Sequence, residues 1–203
     1  MSSGKALSFA GAAYSSEKKE ENSAVLFFNR AVNKKRLKDY LGALRDYTKA
    51  IEINPKYADA YNNRGVLKQI LNDHYGAIND YTFAIEINPN DSVFYYNRGS
   101  MKDSLGDYEG AIEDYTNAIE INTNDSTFYY SRGIVRKKSK DYYGSILDLN
   151  RTIELNAEYP GAYKNRGIAR ELVGDIKGAC NDWVQASKYG SHDAARWVET
   201  QCP

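Results

Sequence analysis

A 34-residue period governs this chain. Ala24, Ala58, Ser92, Ser126 and Pro160 open five ungapped segments that end at Asp193 and cover 170 of the 203 residues. A period of this size marks a supersecondary unit that cannot bury its apolar face alone and does so by stacking on its neighbours. The fold class expected is therefore an all-α solenoid.

Within each segment the pattern reads as two helices. Position four is aromatic: Phe27, Tyr61, Tyr95, Tyr129 and Tyr163. Position eight is small: Ala31, Gly65, Gly99, Gly133 and Gly167. Position twenty is Ala43, Ala77, Ala111, Ser145 and Ala179. Position twenty-four is large and apolar: Tyr47, Tyr81, Tyr115, Leu149 and Trp183. Spacings of three and four place such residues on one helical face, and small residues at facing positions let two antiparallel helices approach closely. Position sixteen is Asp throughout (Asp39, Asp73, Asp107, Asp141, Asp175), which suits the N-cap of the second helix. Pro55 and Pro89 end that helix in the first two segments; Thr123, Ala157 and Ser191 hold the slot later.

The aromatic, small, small, aromatic, Ala and Pro positions resemble the tetratricopeptide repeat pattern across the whole repeat region. The Asn-Arg-Gly of the first helix and the Asp-Tyr-x-x-Ala-Ile of the second are similar to a bacterial-style variant. The resemblance implies a right-handed superhelical solenoid of five helix-turn-helix repeats (24–57, 58–91, 92–125, 126–159, 160–193). Residues 1–14 read as a flexible segment. The repeat region is taken from 15, where Ser15 or Ser16 reads as a helix start, to 193. Residues 194–203 read as a capping helix and C-terminus, with Trp197 as the plug.

Three positions depart from the general repeat. Position seven is Arg30, Arg64, Arg98, Arg132 and Arg166. Position eleven is Lys34, Lys68, Lys102, Arg136 and Arg170. Position twenty-three is Asp46, Asp80, Asp114, Asp148 and Asp182. Charge repeated at packing positions is normally paired, so the favoured reading is an Arg–Asp ladder, within repeats or between neighbours. Contact with a ligand is the other reading. Position nineteen is Gly42, Gly76, Gly110, Gly144 and Gly178, for which the sequence alone gives no reason.

The resemblance also implies that first helices line a concave groove, through positions two, five, six, nine and twelve. Position six gives Asn29, Asn63, Asn97, Ser131 and Asn165. Position five gives Phe28, Asn62, Tyr96, Tyr130 and Lys164. A row of amides can hold the backbone of an extended peptide, with aromatic contact beside it. The opposing reading has each Asn tethering backbone within the fold. The carboxylate clamp by which some family members grip chaperone tails is incomplete here. Asn63 fits its middle slot, but Phe28 and Val32, then Val93 and Asn97, stand where it needs other residues. Chaperone-tail binding is not expected.

Composition narrows the function. Lys+Arg and Asp+Glu number 27 each, so no basic excess points to nucleic acid. Mean hydropathy is −0.67, which points to a soluble chain without membrane insertion. Basic clusters at Lys34–Lys38 and Arg136–Lys140 suit solvated helix ends, or an acidic peptide. The two His lack metal-ligand spacing and no phosphate-binding or nucleophile pattern occurs, so neither an enzyme nor a cofactor is expected. The expected partner is a protein or extended peptide, with a homo-oligomer or a non-catalytic subunit of a larger complex as alternatives. Cys180 and Cys202 approach each other if the cap turns back after Ser191, and a disulfide is possible there. The stretch Ala6–Ala13 is too short and Gly/Ser-rich for a signal peptide. A cytoplasmic setting is slightly favoured, and a periplasmic or exported one if the cysteines are joined.

Overall fold

A computed structural model describes residues 22–202 of the chain. The expectations of a flexible 1–14 segment and of a helix start at Ser15 or Ser16 fall outside these residues. Eleven helices and no strand occur among the described residues. The chain divides into two compact units, Met1–Asn90 and Asp91–Pro203.

The first unit holds α1 (22–36), α2 (Tyr40–Ile53), α3 (Ala58–Ile70) and α4 (His74–Ile87). Its core is Ala31, Ala43, Tyr47 and Leu67, joined by Ala50, Ile51 and Ala60 with Phe27 and Phe28 packed on them. The second holds α5 (Ser92–Ser104), α6 (Tyr108–Ile121), α7 (Ser126–Lys138), α8 (Tyr142–Leu155), α9 (Pro160–Leu172), α10 (Ile176–Lys188) and α11 (His192–Gln201). Consecutive helices pack as hairpins, and each hairpin packs on the next within its unit. This is the helix-pair packing of a tetratricopeptide-type solenoid.

Local chemistry explains the boundaries. Asp39, Asp73, Asp107, Asp141 and Asp175 each cap a second helix, accepting from the N–H of the position-nineteen glycine at 2.9–3.0 Å. Asp91 and Asp125 cap α5 and α7 one residue closer in, accepting from the N–H of Val93 and Thr127 two residues on. The second helices stop at Asn54, Asn88, Asn122 and Asn156, whose side-chain oxygens accept from the N–H two residues on. This Asx turn ends a helix with or without the following proline, so the proline is dispensable. The last helix begins at His192, two residues before the expected start, because the Ser191 hydroxyl accepts from the N–H of Ala194.

The position-nineteen glycine now has a cause. The capping carboxylate lies where its Cβ would stand, at Gly42, Gly76, Gly144 and Gly178 alike. The position-eight glycine serves packing instead: a Cβ at Gly65 would stand 2.8 Å from the Tyr81 ring, and one at Gly167 would overlap the Trp183 indole.

The turn between the helices of each hairpin needs a left-handed residue. Gly106 and Gly174 supply it at φ 81° and 87°, whereas Lys38 and Lys140 adopt φ 62° and 68°. A β-carbon in that region is strained, so Lys140→Gly should raise stability by about 0.5–1 kcal/mol. Urea unfolding of the single variant checks it; a loss of stability would mean that the lysine side chain compensates.

Candidate functional site

The charged positions come together in one repeated arrangement. Each position-seven Arg forms two parallel hydrogen bonds to the position-twenty-three Asp of its own repeat. The Nε and Nη2 distances run from 2.6 to 2.9 Å across Arg30–Asp46, Arg64–Asp80, Arg98–Asp114, Arg132–Asp148 and Arg166–Asp182. Of the two geometries the sequence left open, pairing within a repeat is the one observed. The five aspartates are 0–3% exposed.

Sequence reasoning missed two further partners. The position-eleven cation takes the second carboxylate oxygen, at 2.8 Å for Lys34 and 2.9 Å for Lys68, Lys102, Arg136 and Arg170. The third guanidinium nitrogen reaches the preceding repeat: Arg64 to Thr48, Arg132 to Thr116 and Arg166 to Asn150. The recurrence of Thr48, Thr82 and Thr116 at position twenty-five was the signal for it. Each guanidinium also lies over the position-four ring of its own helix, 4.7–5.9 Å from the centroid. Through its bonds to Thr48, Thr116 and Asn150 the network ties a hairpin to the one before it at Arg64, Arg132 and Arg166, and its aspartates are withdrawn from solvent.

Asp46 shows the electrostatic consequence. The hydrogen-bonded Arg30 guanidinium, helped by Lys34, holds its carboxyl at about 2 against an ordinary 3.8, with burial opposing. A depressed carboxyl stabilises the fold above its unfolded value and loses that contribution as pH falls through its folded one. Stability due to Asp46 should therefore be complete above about pH 4 and fade toward pH 2. A carbon-detected NMR titration checks this, and a midpoint at or above 3.8 would refute it.

The groove positions divide between the units. In the first unit Asn29 is exposed, and Asn63 donates to the Asp59 carbonyl one turn back at 2.9 Å. Asn62 is partly exposed. Phe28 turns inward, 4.9 Å from Tyr57 and 5.5 Å from Tyr47.

In the second unit Tyr96 and Tyr130 flank a pocket of about 180 Å³ between α5 and α7, with Ser100, Asp103, Ser131 and Ile134. These are positions five, six, nine and twelve, with Tyr115 of α6 as the floor. Tyr96 packs on Tyr115 and Phe128, and Tyr130 meets Tyr159 edge-on at 4.8 Å. Asn97 is partly exposed on α5. Asn165 departs from the expected open amide. It is 8% exposed, donates to Gly161 O and the Tyr130 hydroxyl, and accepts from Lys137. A neighbouring hairpin covers it, so it acts inside the fold.

Cys180 and Cys202 are joined, with Cα atoms 5.6 Å apart. The bond ties the end of α11 to the first turns of α10. Among the described residues no helix is long and apolar enough to cross a membrane. No cluster of metal-ligating side chains occurs there either.

Comparison with known proteins agrees with this architecture. A family model described as TPR repeat matches residues 36–69 and 104–139, and two described as tetratricopeptide repeat match 58–91 and 81–113. Together they span 36–139, about half of the chain. No curated protein matches. Similar solved structures include MamA, at 20% identity over 88% of this chain and 96% of that one, with a TM-score of 0.78. YrrB, described as a TPR protein with an unusual peptide-binding site, aligns at 19% identity over 93% and 96%, TM-score 0.78. The Pseudomonas aeruginosa protein pilF aligns at 16% over 89% and 86%, TM-score 0.75. Such identities speak to the fold. With the repeated hairpins, the capped turns and the family matches in agreement, this chain belongs to the tetratricopeptide repeat family.

Proposed function

We propose that this chain is a non-catalytic adaptor that binds an extended protein segment on the exposed face of its first helices. The observation that carries the reading is the open pocket of the second unit. Tyr96, Tyr130, Ser100 and Ser131 present aromatic edges and hydroxyls there, while the arginines of the same helices are engaged with buried aspartates. Aromatic rings beside small polar groups suit a peptide backbone more than a small metabolite. In the first unit Asn29, Asn62, Asn63 and Phe28 occupy the same repeat positions, as Asn97 does in the second. YrrB supports the reading by analogy of fold.

On this reading five repeats from residue 24 to 193 form the binding array, and the Asn-Arg-Gly first helix serves it. Its Asn meets ligand or helix backbone, its Arg joins the hairpins, and its Gly admits the position-twenty-four ring. The balanced charge favours protein over nucleic acid, and no cofactor enters. A joined Cys180–Cys202 pair fits an exported or periplasmic setting; two free thiols fit the cytoplasm.

The test fills the pocket. Ser100→Arg should cut capture of partners from native cells at least tenfold while leaving the circular-dichroism melting curve in place. Unchanged capture would move the site to another face. One observation favours a second reading, a module that binds its own copies: Tyr143 and Leu147, 72% and 66% exposed, stand one turn apart on α8. Light scattering over a concentration range separates the two. Service as a regulatory subunit of a larger complex would appear as one stoichiometric partner.

A further inference from the structure

Among the described residues of the second unit, one partly buried cation has no counter-ion. Lys137 stands at position twelve of α7, one turn beyond the pocket, and is half-buried. Its ammonium donates to the Asn165 side-chain oxygen at 2.6 Å. Among the described residues no carboxylate lies within ion-pair distance of it. Asp103 on α5 takes Lys138 at 2.7 Å, and Asp193 on α11 takes Lys164 at 3.3 Å and Arg196 at 3.4 Å; Glu171 on α9 lines the pocket toward α11.

The surroundings are built for an acceptor. The Asn165 amide that receives Lys137 donates at 3.2 Å to the Tyr130 hydroxyl. One fixed, buried amide therefore anchors an ammonium on one side and a phenol on the other. The phenol accepts in that bond, so its own proton is available. The ammonium keeps two further N–H donors. Lys164, next to Asn165 on α9, adds positive potential. A half-buried ammonium beside other ammoniums is costly unless an anion joins it.

We infer that Lys137 and Tyr130 form a receptor for the side-chain carboxylate of an acidic residue in a bound peptide, with Lys164 supporting it electrostatically. The inference rests on the peptide-binding reading and names the chemistry of the ligand. A carboxylate accepts from both the ammonium and the phenol, and it neutralises the local charge. Burial first, then Lys164 and Lys138, push the Lys137 ammonium below its ordinary value, a cost that a bound anion reverses. A ligand running along the first helices of the second unit would pass this site. The Tyr96–Tyr130 pocket adjoins it on one side, and a second pocket of about 270 Å³, lined by Ile168, Glu171, Trp183, Trp197 and Gln201, lies toward α11. A chain passing between two pockets offers a side chain at this point, where a terminal carboxylate would stop it.

The test uses the full chain and a displayed library of random twelve-residue peptides. Selected peptides should carry Asp or Glu in a fixed register with their aromatic or apolar residues. Replacing that residue by its amide should weaken binding about tenfold or more, as expected for a charge-assisted hydrogen bond. With Lys137→Met, which keeps the apolar stem, the acid and its amide should bind within twofold of each other, and Lys137→Arg should restore most of the preference. Peptides that bind without an acidic preference, or whose preference survives in Lys137→Met, overturn the inference and leave the groove reading standing if Ser100→Arg abolishes them. Binding lost only when the peptide C-terminus is amidated overturns it in favour of terminal-carboxylate recognition. Peptides indifferent to both Lys137→Met and Ser100→Arg, or no selectable peptide, overturn both readings.

Discussion

Asp114→Ala should lower the stability of the fold by about 3–5 kcal/mol. Asp114 is fully buried and accepts from Arg98 at 2.9 and 2.7 Å and from Lys102 at 2.9 Å. The side chains of those two cations are only 18% and 19% exposed. Removing the carboxylate leaves two charges largely out of water and facing each other. Restoring their solvation requires α5 and α6 to part, and Gly99, where a Cβ would stand 3.2 Å from Tyr115, shows how closely the hairpin packs. The first repeat supplies the control. Asp46 has the same partners, but Arg30 is 53% exposed and Lys34 30% exposed, so Asp46→Ala should cost about 1 kcal/mol. Urea unfolding of the two variants decides it, and equal losses would mean that burial of the cations is not what makes the aspartate indispensable. Replacing Asp114, Arg98 and Lys102 together by apolar residues of similar volume should cost less than the single change, because no charge is then stranded.

This network marks the boundary between what the sequence discloses and what it withholds. The period, the helix pairs and the Asp caps were legible, because each rests on residue types repeated every 34 positions. Pairing of positions seven and twenty-three was legible for the same reason. The reach of the guanidinium to Thr48, Thr116 and Asn150 was not, since it depends on how one hairpin sits on the next, and Asn replaces Thr in the last case. Position six misled at Asn165 because the amide alone does not tell an exposed first-helix face from a covered one. Lys137 stayed hidden in a basic cluster that looked like an ordinary solvated helix end. Only the tertiary fold separates it from Lys138, which has Asp103, and shows that its partner among the described residues is the Asn165 amide and not a carboxylate.

Reduction of the Cys180–Cys202 bond should release α11 while leaving the hairpins of the second unit folded. The helix has ten residues, too few to hold helical structure alone in water. Its anchors are Ala194, fully buried, the Trp197 ring 5.4 Å from Trp183, and the bond between cysteines 22 residues apart. Chain-entropy arguments assign a loop of this size about 3 kcal/mol, comparable to what so small an apolar patch supplies, so losing it brings α11 to the edge of docking. Solenoid contacts run between neighbours, so the loss should stay local. Amide exchange in α11 should rise by about a hundredfold on reduction, Trp183 and Trp197 should become more accessible to quenchers, and exchange in α5–α8 should hold. Cys180→Ser with Cys202→Ser should reproduce the reduced state and rule out effects of the reductant. Protection of α11 that survives in both would show that the tryptophan contact alone seats the cap, and the bond would then add nothing to the end of the array.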